Sequence, residues 1–232
     1  MWRQAFAEAA ERPACAKAPG SVSPGDESGS CAVLDVGAAY GYYSLLTALH
    51  APAGVRAHAF NPHPAFMHEL RRNLMLNRVD GRVCLHEYGV SEAPGNATME
   101  YSVCGKIWGG SCIHEHGGTS TLRQVRVTTL DEWAASSAPA LLRRRAPFLF
   151  VKLDIEGAGA MAIRGGRRLL HHATHVLVGI HNPDEWKEAH ATFRPPVWEV
   201  LMARQKGGAH DPNGVFAARR ARNGSHADTR QN

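Results

Sequence analysis

The stretch that decides the fold is DVGAAYG, residues Asp35–Gly41. The apolar run Ala32–Val36 leads into it, and Tyr42–Leu49, a run suited to a helix, follows it. This order predicts a strand, a tight glycine turn and a helix. Gly37 lets a cofactor approach bare backbone, and the N-terminus of the following helix offers free N–H groups to a polar ligand. The stretch therefore indicates a site for a nucleotide-like ligand.

The spacing of the glycines bears on which ligand this is. Asp35, Gly37 and Gly41 form the pattern Asp-x-Gly-x-x-x-Gly, whereas Gly-x-Gly-x-x-Gly is typical of dinucleotide sites. A glycine turn with an acid on the preceding strand suits a ligand that has no pyrophosphate to cradle. The pattern therefore favours S-adenosylmethionine over a dinucleotide.

The bulk composition fits one α/β domain. The chain has 232 residues, of which 44% are hydrophobic, enough for a sizeable core. Its net charge of +5 is concentrated in Arg143–Arg145, in Arg167 and Arg168, and in a basic tail. Such a tail is usually solvated, and no basic stripe interleaved with aromatic residues accompanies it, so we expect no nucleic-acid partner.

The five cysteines and the N-terminal residues bear on location. Cys31 and Cys84 abut or lie within apolar, strand-like runs, which predicts buried free thiols in a reducing compartment. The first residues include Glu8 and Glu11 and no long apolar core, so no signal peptide is evident. No apolar run reaches the roughly 18 residues of a membrane span. We therefore expect a cytoplasmic protein with no membrane partner.

Strands alternate with helices along the middle of the chain, which predicts an α/β fold with a doubly wound, mostly parallel sheet. Beyond the glycine turn, strands are predicted at Val55–Phe60, Arg82–Tyr88, Pro147–Asp154 and His175–His181. Helices are predicted at Pro64–Asn77, Leu130–Ser136 and Ala158–His171.

The remaining segments divide the chain into three parts. Residues 1–30 are predicted to form a short helix and a flexible linker, 31–216 the folded domain, and 217–232 a disordered basic tail. Alternating side chains in 95–129 predict antiparallel strands around a glycine-rich loop. Val197–Gln205 has a helical pattern, which leaves only Gly214–Ala218 for a C-terminal antiparallel hairpin. We therefore expect that hairpin to be truncated.

Five motifs follow one another along the chain: VLDVGAAYGYYS from Val33, AFNPHP from Ala59, LRRNLMLN from Leu70, VTTLDE from Val127 and VKLDIEG from Val151. In order and spacing they resemble the motifs of FkbM-type methyltransferases, over roughly residues 31–181. The resemblance implies a Rossmann-like class I methyltransferase fold with S-adenosylmethionine as cofactor. It also implies methyl transfer, usually to a hydroxyl oxygen of a small molecule or sugar.

The resemblance places the cofactor at the glycine turn and at the ends of the next two strands. The residues implied are Asp35, Gly37, Ala38, Tyr40, Gly41 and Asn61, with Glu87 or Tyr88 bordering the adenine.

Asn61 departs from the family, which usually has Glu at this position. It lies 20 residues after Gly41 at the end of the second strand, where ribose hydroxyls are expected. An amide offers one neutral acceptor oxygen, so it should hold the ribose less tightly than a carboxylate. The alternative is that Asn61 only forms a turn before Pro62.

Asp154 and Glu156 follow the nearly all-apolar strand and are the predicted catalytic residues. Ionised carboxylates are costly beside apolar strands unless they have partners, so a use is expected: to hold a substrate, take a proton or bind a cation. Lys152 lies on the same side of the strand as Asp154 and could balance it. The alternative is that the carboxylates cap the next helix.

At two further positions the chain lacks a polar residue that the family commonly has around its active site. Gly159 and Gly179 stand where an acid is common in the family. Together with Asn61 they leave two alternatives beside an active methyltransferase. One is a catalytically degenerate binding module with the same fold, and the other is an RNA-modifying protein, suggested by the basic tail.

Four cysteine and histidine residues that lie close together in the sequence could in principle bind zinc. Cys104, Cys112, His114 and His116 follow the spacing Cys-x7-Cys-x-His-x-His, which matches no common zinc motif. A glycine-rich surface loop is the favoured interpretation, and the sequence assigns no metal.

Overall fold

The computed structural model describes residues 1–16, 31–102, 120–142, 148–205 and 213–221. In these residues the helices are α1 (Trp2–Ala10), α2 (Pro13–Ala16), α3 (Tyr42–His50), α4 (Pro64–Leu76), α5 (Leu130–Ser137), α6 (Gly159–Arg164), α7 (Arg167–His172) and α8 (Pro183–Thr192). The strands are β1 (Cys31–Val36), β2 (Arg56–Phe60), β3 (Val83–His86), β4 (Gly89–Val90), β5 (Gly95–Ser102), β6 (Ser120–Thr128), β7 (Phe148–Leu153), β8 (His175–Ile180), β9 (Trp198–Gln205) and β10 (Gly214–Arg220).

A seven-stranded sheet organises the fold, with the strand order β3-β2-β1-β7-β8-β10-β9. Strands β1, β2, β3, β7 and β8 are parallel to one another, and β10 runs antiparallel between β8 and β9. The predicted doubly wound sheet is therefore confirmed. Because the strand order reverses between β1 and β7, the carboxyl ends of these two strands border the crevice where such sheets bind ligands.

Strands β1 and β7 form the centre of the sheet, and every residue of both is buried. They pair in parallel, with Leu34 opposite Val151 and Asp35 opposite Lys152. Layers of helix cover a central parallel strand on both faces, so apolar side chains are expected at every position. The two charged residues at one paired position are therefore exceptional, and each needs a polar partner.

Helix α5 begins at the predicted capping motif. Thr129 Oγ1 accepts a hydrogen bond of 3.0 Å from the backbone N–H of Glu132. The helix then packs Leu130 and Trp133 into the main apolar core. A side-chain oxygen at this position satisfies one of the free N–H groups of the first turn.

A smaller sheet, with the order β4-β6-β5, contains the antiparallel pair that was predicted within 95–129. The candidate zinc cluster Cys104–His116 falls between β5 and β6 and lies outside the described residues. The predicted linker and most of the predicted tail lie outside them as well.

The prediction of a truncated C-terminal hairpin was wrong. Trp198–Gln205 is strand β9 rather than a helix, and it pairs with β10 along its length. A short apolar run does not distinguish helix from strand by periodicity, and here the neighbouring strand decides. Strand β10 buries Phe216 and Ala218 between β8 and β9 and continues to Arg220, so the predicted boundary at residue 216 falls inside it.

The prediction that Cys31 is a free thiol was also wrong. It forms a disulfide with Cys15, whereas Cys84 is free and half-buried. The cause is the position of α1 and α2, which pack against the β1–β7 face. Trp2 of α1 stacks on Phe150 with ring centroids 4.0 Å apart. Disulfides are typical of oxidising environments, so this bond runs against the expectation of a reducing compartment.

In the part of the chain that the structure describes, no helix is long and apolar enough to cross a membrane.

Candidate cofactor and acceptor site

The glycine turn after β1 is shaped by close packing as well as by its backbone angles. Gly37 and Gly41 have φ values of +80° and +90°. A Cβ at Gly37 would lie 2.0 Å from the carbonyl oxygen of Asp154, and a Cβ at Gly41 would lie 2.0 Å from Leu70 Cδ1. Both positions therefore require glycine. The turn lies directly against the end of β7, where the predicted catalytic residues begin.

The other predicted residues of the turn differ in exposure. Ala38 is buried, whereas Tyr40 is partly exposed and packs edge-on against Phe66 of α4. The Tyr40 carbonyl accepts a hydrogen bond of 2.9 Å from Asn73, which ties the turn to α4.

Asp35 lies beneath the turn, with its side chain fully buried. Ser44 Oγ donates a hydrogen bond of 2.7 Å to Asp35 Oδ2, and Lys152 Nζ lies 3.1 Å from Oδ1. Lys152 also donates to the carbonyl oxygen of Gly37 at 2.8 Å. The structure therefore places Asp35 where it supports the turn through Ser44 and Lys152.

Lys152 was expected to balance Asp154. Its Nζ lies 3.9 Å from Asp154 Oδ2, farther than from Asp35. The parallel register of β1 and β7 explains this, because it places Lys152 directly opposite Asp35. Sequence reasoning missed this pair since it used the alternation within one strand and had no register between strands.

Asn61 lies at the end of β2 and is buried. Its Oδ1 accepts a hydrogen bond of 2.8 Å from the backbone N–H of His63, just before α4 begins. This contact is the turn that the sequence offered as the alternative role. The ribose contact of Asn61 stays a prediction.

Glu87 and Tyr88 follow β3 and face different surroundings. Glu87 is half-exposed and pairs with Arg71 of α4 at 2.7 Å. The Tyr88 ring packs against Phe60, and its hydroxyl lies 3.2 Å from His86 Nδ1. Burial raises the pKa of Tyr88, while nearby Arg126 acts in the opposite direction. Both residues lie on the β3 side of the turn, where the adenine was expected.

The structure brings Asp154 and Glu156 together with His181, which the sequence analysis did not select. Asp154 and Glu156 follow β7, and His181 follows the neighbouring strand β8. His181 Nε2 lies 3.4 Å from Asp154 Oδ1 and 3.5 Å from Glu156 Oε2. The signal was available, because residues that follow adjacent parallel strands meet at one edge of the sheet.

Glu185 of α8 lies behind His181 and is fully buried. The backbone N–H groups of Gly159 and His181 donate to its two carboxylate oxygens at 2.7 Å and 2.6 Å. Burial alone would raise the pKa of Glu185, but the hydrogen bonds from His181 and Gly159 outweigh it and lower the pKa. Glu185 is therefore an ionised carboxylate inside the fold.

The neighbouring carboxylates change the pKa of His181. Its Nδ1 lies 3.6 Å from Glu185 Oε2. The pKa of His181 is raised, chiefly by Glu185, with burial acting against the shift and Glu156 and Asp154 adding to it. The imidazole thus sits among three carboxylates.

Gly159 and Gly179, the two departures from the family, give room to these carboxylates. A Cβ at Gly159 would lie 2.7 Å from Glu185 Oε1, and a Cβ at Gly179 would lie 2.3 Å from Asp154 Oδ1. Any side chain at position 159 would therefore meet the carboxylate of Glu185 from α8.

A family model for the methyltransferase FkbM domain matches residues 35–205. The chain belongs to the FkbM methyltransferase family. The matched range of this FkbM chain runs from the glycine turn through the carboxylate–histidine cluster to the end of β9. Comparison with curated protein sequences gives no match.

Solved structures share the fold of the FkbM chain at low sequence identity. A protein described as an rRNA methylase, from Clostridium thermocellum, has 10% identity and a TM-score of 0.51, with 82% of this chain and 87% of that chain covered. The methyltransferase FkbM of Methylobacillus flagellatus KT has 15% identity and a TM-score of 0.49, with 89% of this chain and 48% of that chain covered. At 10% identity, the likeness to the Clostridium thermocellum protein shows the fold alone and not a substrate.

Proposed function

We propose that this chain is an S-adenosylmethionine-dependent methyltransferase that methylates a hydroxyl oxygen of a small molecule or sugar. One observation carries the proposal. The glycine turn after β1 lies in contact with the end of β7, where Asp154 and Glu156 meet His181. A cofactor on the turn would thus lie beside groups able to accept a proton.

In this proposal the backbone of Gly37–Gly41 holds the methionine part of the cofactor. Asp35 supports the turn and does not contact the cofactor itself. Ser44 connects it to α3, and Lys152 connects it to the carbonyl of Gly37 in the turn. Asn61 faces the ribose, and Glu87 and Tyr88 border the adenine. A preorganised turn of this kind binds without having to reorganise when the ligand arrives.

The chemical step would be a direct displacement. The acceptor oxygen attacks the sulfonium methyl group, the carbon–sulfur bond breaks, and the neutral thioether leaves. Most of the rate in such a transfer comes from alignment of the two reactants. Asp154 or Glu156 takes the hydroxyl proton, and His181 Nε2 lies 3.4 Å and 3.5 Å from these two carboxylates.

Calorimetric titration of the purified chain with S-adenosylmethionine and S-adenosylhomocysteine tests the cofactor. A donor-labelled screen of hydroxylated small molecules and sugars, with RNA included, tests the acceptor. Saturable cofactor binding with label in a hydroxyl compound supports the proposal. Label in RNA alone contradicts the small-molecule acceptor, and absence of cofactor binding favours the binding-module alternative.

A further inference from the structure

Asp154, Glu156 and His181 form a group whose chemistry goes beyond proton acceptance. One ligand atom from each, two carboxylate oxygens and an imidazole nitrogen, lies within 4.8 Å of the others. The three side chains are half-buried to exposed, so water has access to the space between them. Two carboxylates and an imidazole are donors that suit divalent first-row cations.

His181 Nε2 faces the carboxylates of Asp154 and Glu156 at the same time. It lies almost equally far from the two carboxylates, at 3.4 Å and 3.5 Å, and both distances exceed the limit of about 3.2 Å for a typical N–H···O hydrogen bond. Ligand atoms around an octahedral ion with bonds of about 2.1 Å lie about 3 Å apart. The two distances from His181 Nε2 are therefore close to the separation of ligand atoms around one ion.

The orientation of the imidazole provides an independent observation. Its Nδ1 side faces buried Glu185, which two backbone N–H groups hold in place. Nε2 consequently points toward Asp154 and Glu156. Metal-binding histidines commonly direct the second ring nitrogen at a carboxylate or carbonyl. Here Nδ1 is on the side of the Glu185 carboxylate, 3.6 Å from Oε2 and beyond hydrogen-bond distance.

The groups around His181 carry an excess of negative charge, which favours binding of a cation. Three carboxylates, of Asp154, Glu156 and Glu185, surround one imidazole. Among the described residues, Lys152 forms an ion pair with Asp154, but its Nζ lies closer to Asp35. An added positive ion would relieve the repulsion among the carboxylates.

We propose that Asp154, Glu156 and His181 bind one divalent cation of the Mn²⁺ and Mg²⁺ class, with water in the remaining positions. The site stands on its own geometry. Its use, to hold the acceptor hydroxyl as a further ligand, rests on the proposed function. There the ion would lower the pKa of the bound hydroxyl and so ease loss of its proton to Asp154, Glu156 or water.

Titration of the full chain with Mn²⁺ alone, followed by electron paramagnetic resonance, tests the site. We expect one saturable site with nitrogen modulation from His181 in the pulsed spectrum. Asp154→Asn, Glu156→Gln and His181→Ala should each raise the Kd for Mn²⁺ at least 10-fold. His181→Ala should also abolish the nitrogen signal, and Mg²⁺ should displace the bound Mn²⁺.

Asp184→Asn is the matched control, because Asp184 is an exposed acid beside Glu185 that pairs with Arg164. Its Kd for Mn²⁺ should equal that of the unaltered chain. Circular dichroism shows whether each variant is folded. If His181→Ala does not fold, Glu156→Gln still tests the site, because Glu156 is exposed and its substitution should leave the fold intact. The proposal is overturned if the unaltered chain shows no saturable binding at millimolar Mn²⁺, or if Glu156→Gln and the control bind alike. Cofactor titration without metal tests the proposed function separately, so either can fail alone.

Discussion

Asn61 forms the turn before α4, and in the proposed function it also faces the ribose of the cofactor. Its Oδ1 accepts the His63 N–H, a contact that an aspartate oxygen could make equally well. Asn61→Asp should therefore keep the turn and add a second, charged oxygen for the ribose. Charge-assisted hydrogen bonds are stronger than neutral ones by about 1 kcal/mol, so we expect roughly 5-fold tighter binding of S-adenosylmethionine in a calorimetric titration.

The matched control is Asn77→Asp, which adds the same charge at the exposed end of α4. It should leave the Kd for the cofactor unchanged. Weaker binding by Asn61→Asp, with the control unaffected, would show that Asn61 does not face the ribose.

Asp154 is the residue on which turnover should depend most directly. Its side chain is 42% exposed, so loss of its charge should cost little stability. If the chain is an active methyltransferase, Asp154→Asn should lower kcat about 100-fold or more, because positioned proton acceptors contribute factors of this size. The Kd for S-adenosylmethionine should stay within a factor of two or three. A fall in melting temperature with kcat preserved would assign Asp154 a structural role.

At the scale of elements, the contact between the glycine turn and β7 can be tested through stability. Gly37→Ala places a side chain 2.0 Å from the Asp154 carbonyl oxygen, on backbone with φ of +80°. A clash with backbone and a left-handed conformation should together lower the free energy of unfolding by about 2 kcal/mol or more. Gly81→Ala is the control, because its Cβ would meet nothing within 4 Å. Equal urea midpoints for the two variants would mean that the turn and β7 are not in close contact.

The disulfide joins α2 to the first residue of β1 and so fastens the N-terminal helices to the sheet. Cys15 and Cys31 are 16 residues apart, and closure of a loop of this length stabilises a fold by about 3 kcal/mol. Cys15→Ser should lower the melting temperature measured without reductant. Addition of reductant to this variant should not lower the melting temperature further, because the disulfide is already absent. Cys84→Ser removes a thiol that is free in the described residues and should change the melting temperature little. Similar melting temperatures for the two variants would argue against the disulfide.

At the scale of the whole molecule, features coded within one segment could be predicted from the sequence, and features that depend on pairing between segments could not. The glycine turn, the cap at Thr129 and the alternation of strands and helices that is typical of a parallel sheet follow from local patterns. The strand Trp198–Gln205 was mistaken for a helix because its partner β10 decides its state. The Cys15–Cys31 bond depends on how α1 packs, and the Asp35–Lys152 pair on the register of two strands. The position of Glu185 depends in turn on where α8 packs.

A pair of half-buried histidines should make the stability of the fold depend on pH. His58 and His86 lie on adjacent strands with ring nitrogens 3.1 Å apart. Burial and the neighbouring His86 lower the pKa of His58 to about 3, and burial lowers the pKa of His86 to about 4. Both rings are therefore neutral in the folded protein well below the pH at which a free histidine takes up a proton.

The unfolded chain regains the ordinary histidine pKa of about 6.5, so below this pH it binds more protons than the folded chain. The stability from the neutral rings is complete above pH 6.5 and should decrease as the pH falls toward 4. Urea unfolding between pH 7.5 and 4.5 should show this decrease, with His58 contributing up to about 1.4 kcal/mol per pH unit.

His58→Gln should make the free energy of unfolding depend less on pH, whereas His68→Gln, on the exposed face of α4, should not. A slope unchanged by His58→Gln would mean that His58 titrates normally in the fold and is not buried as a neutral ring.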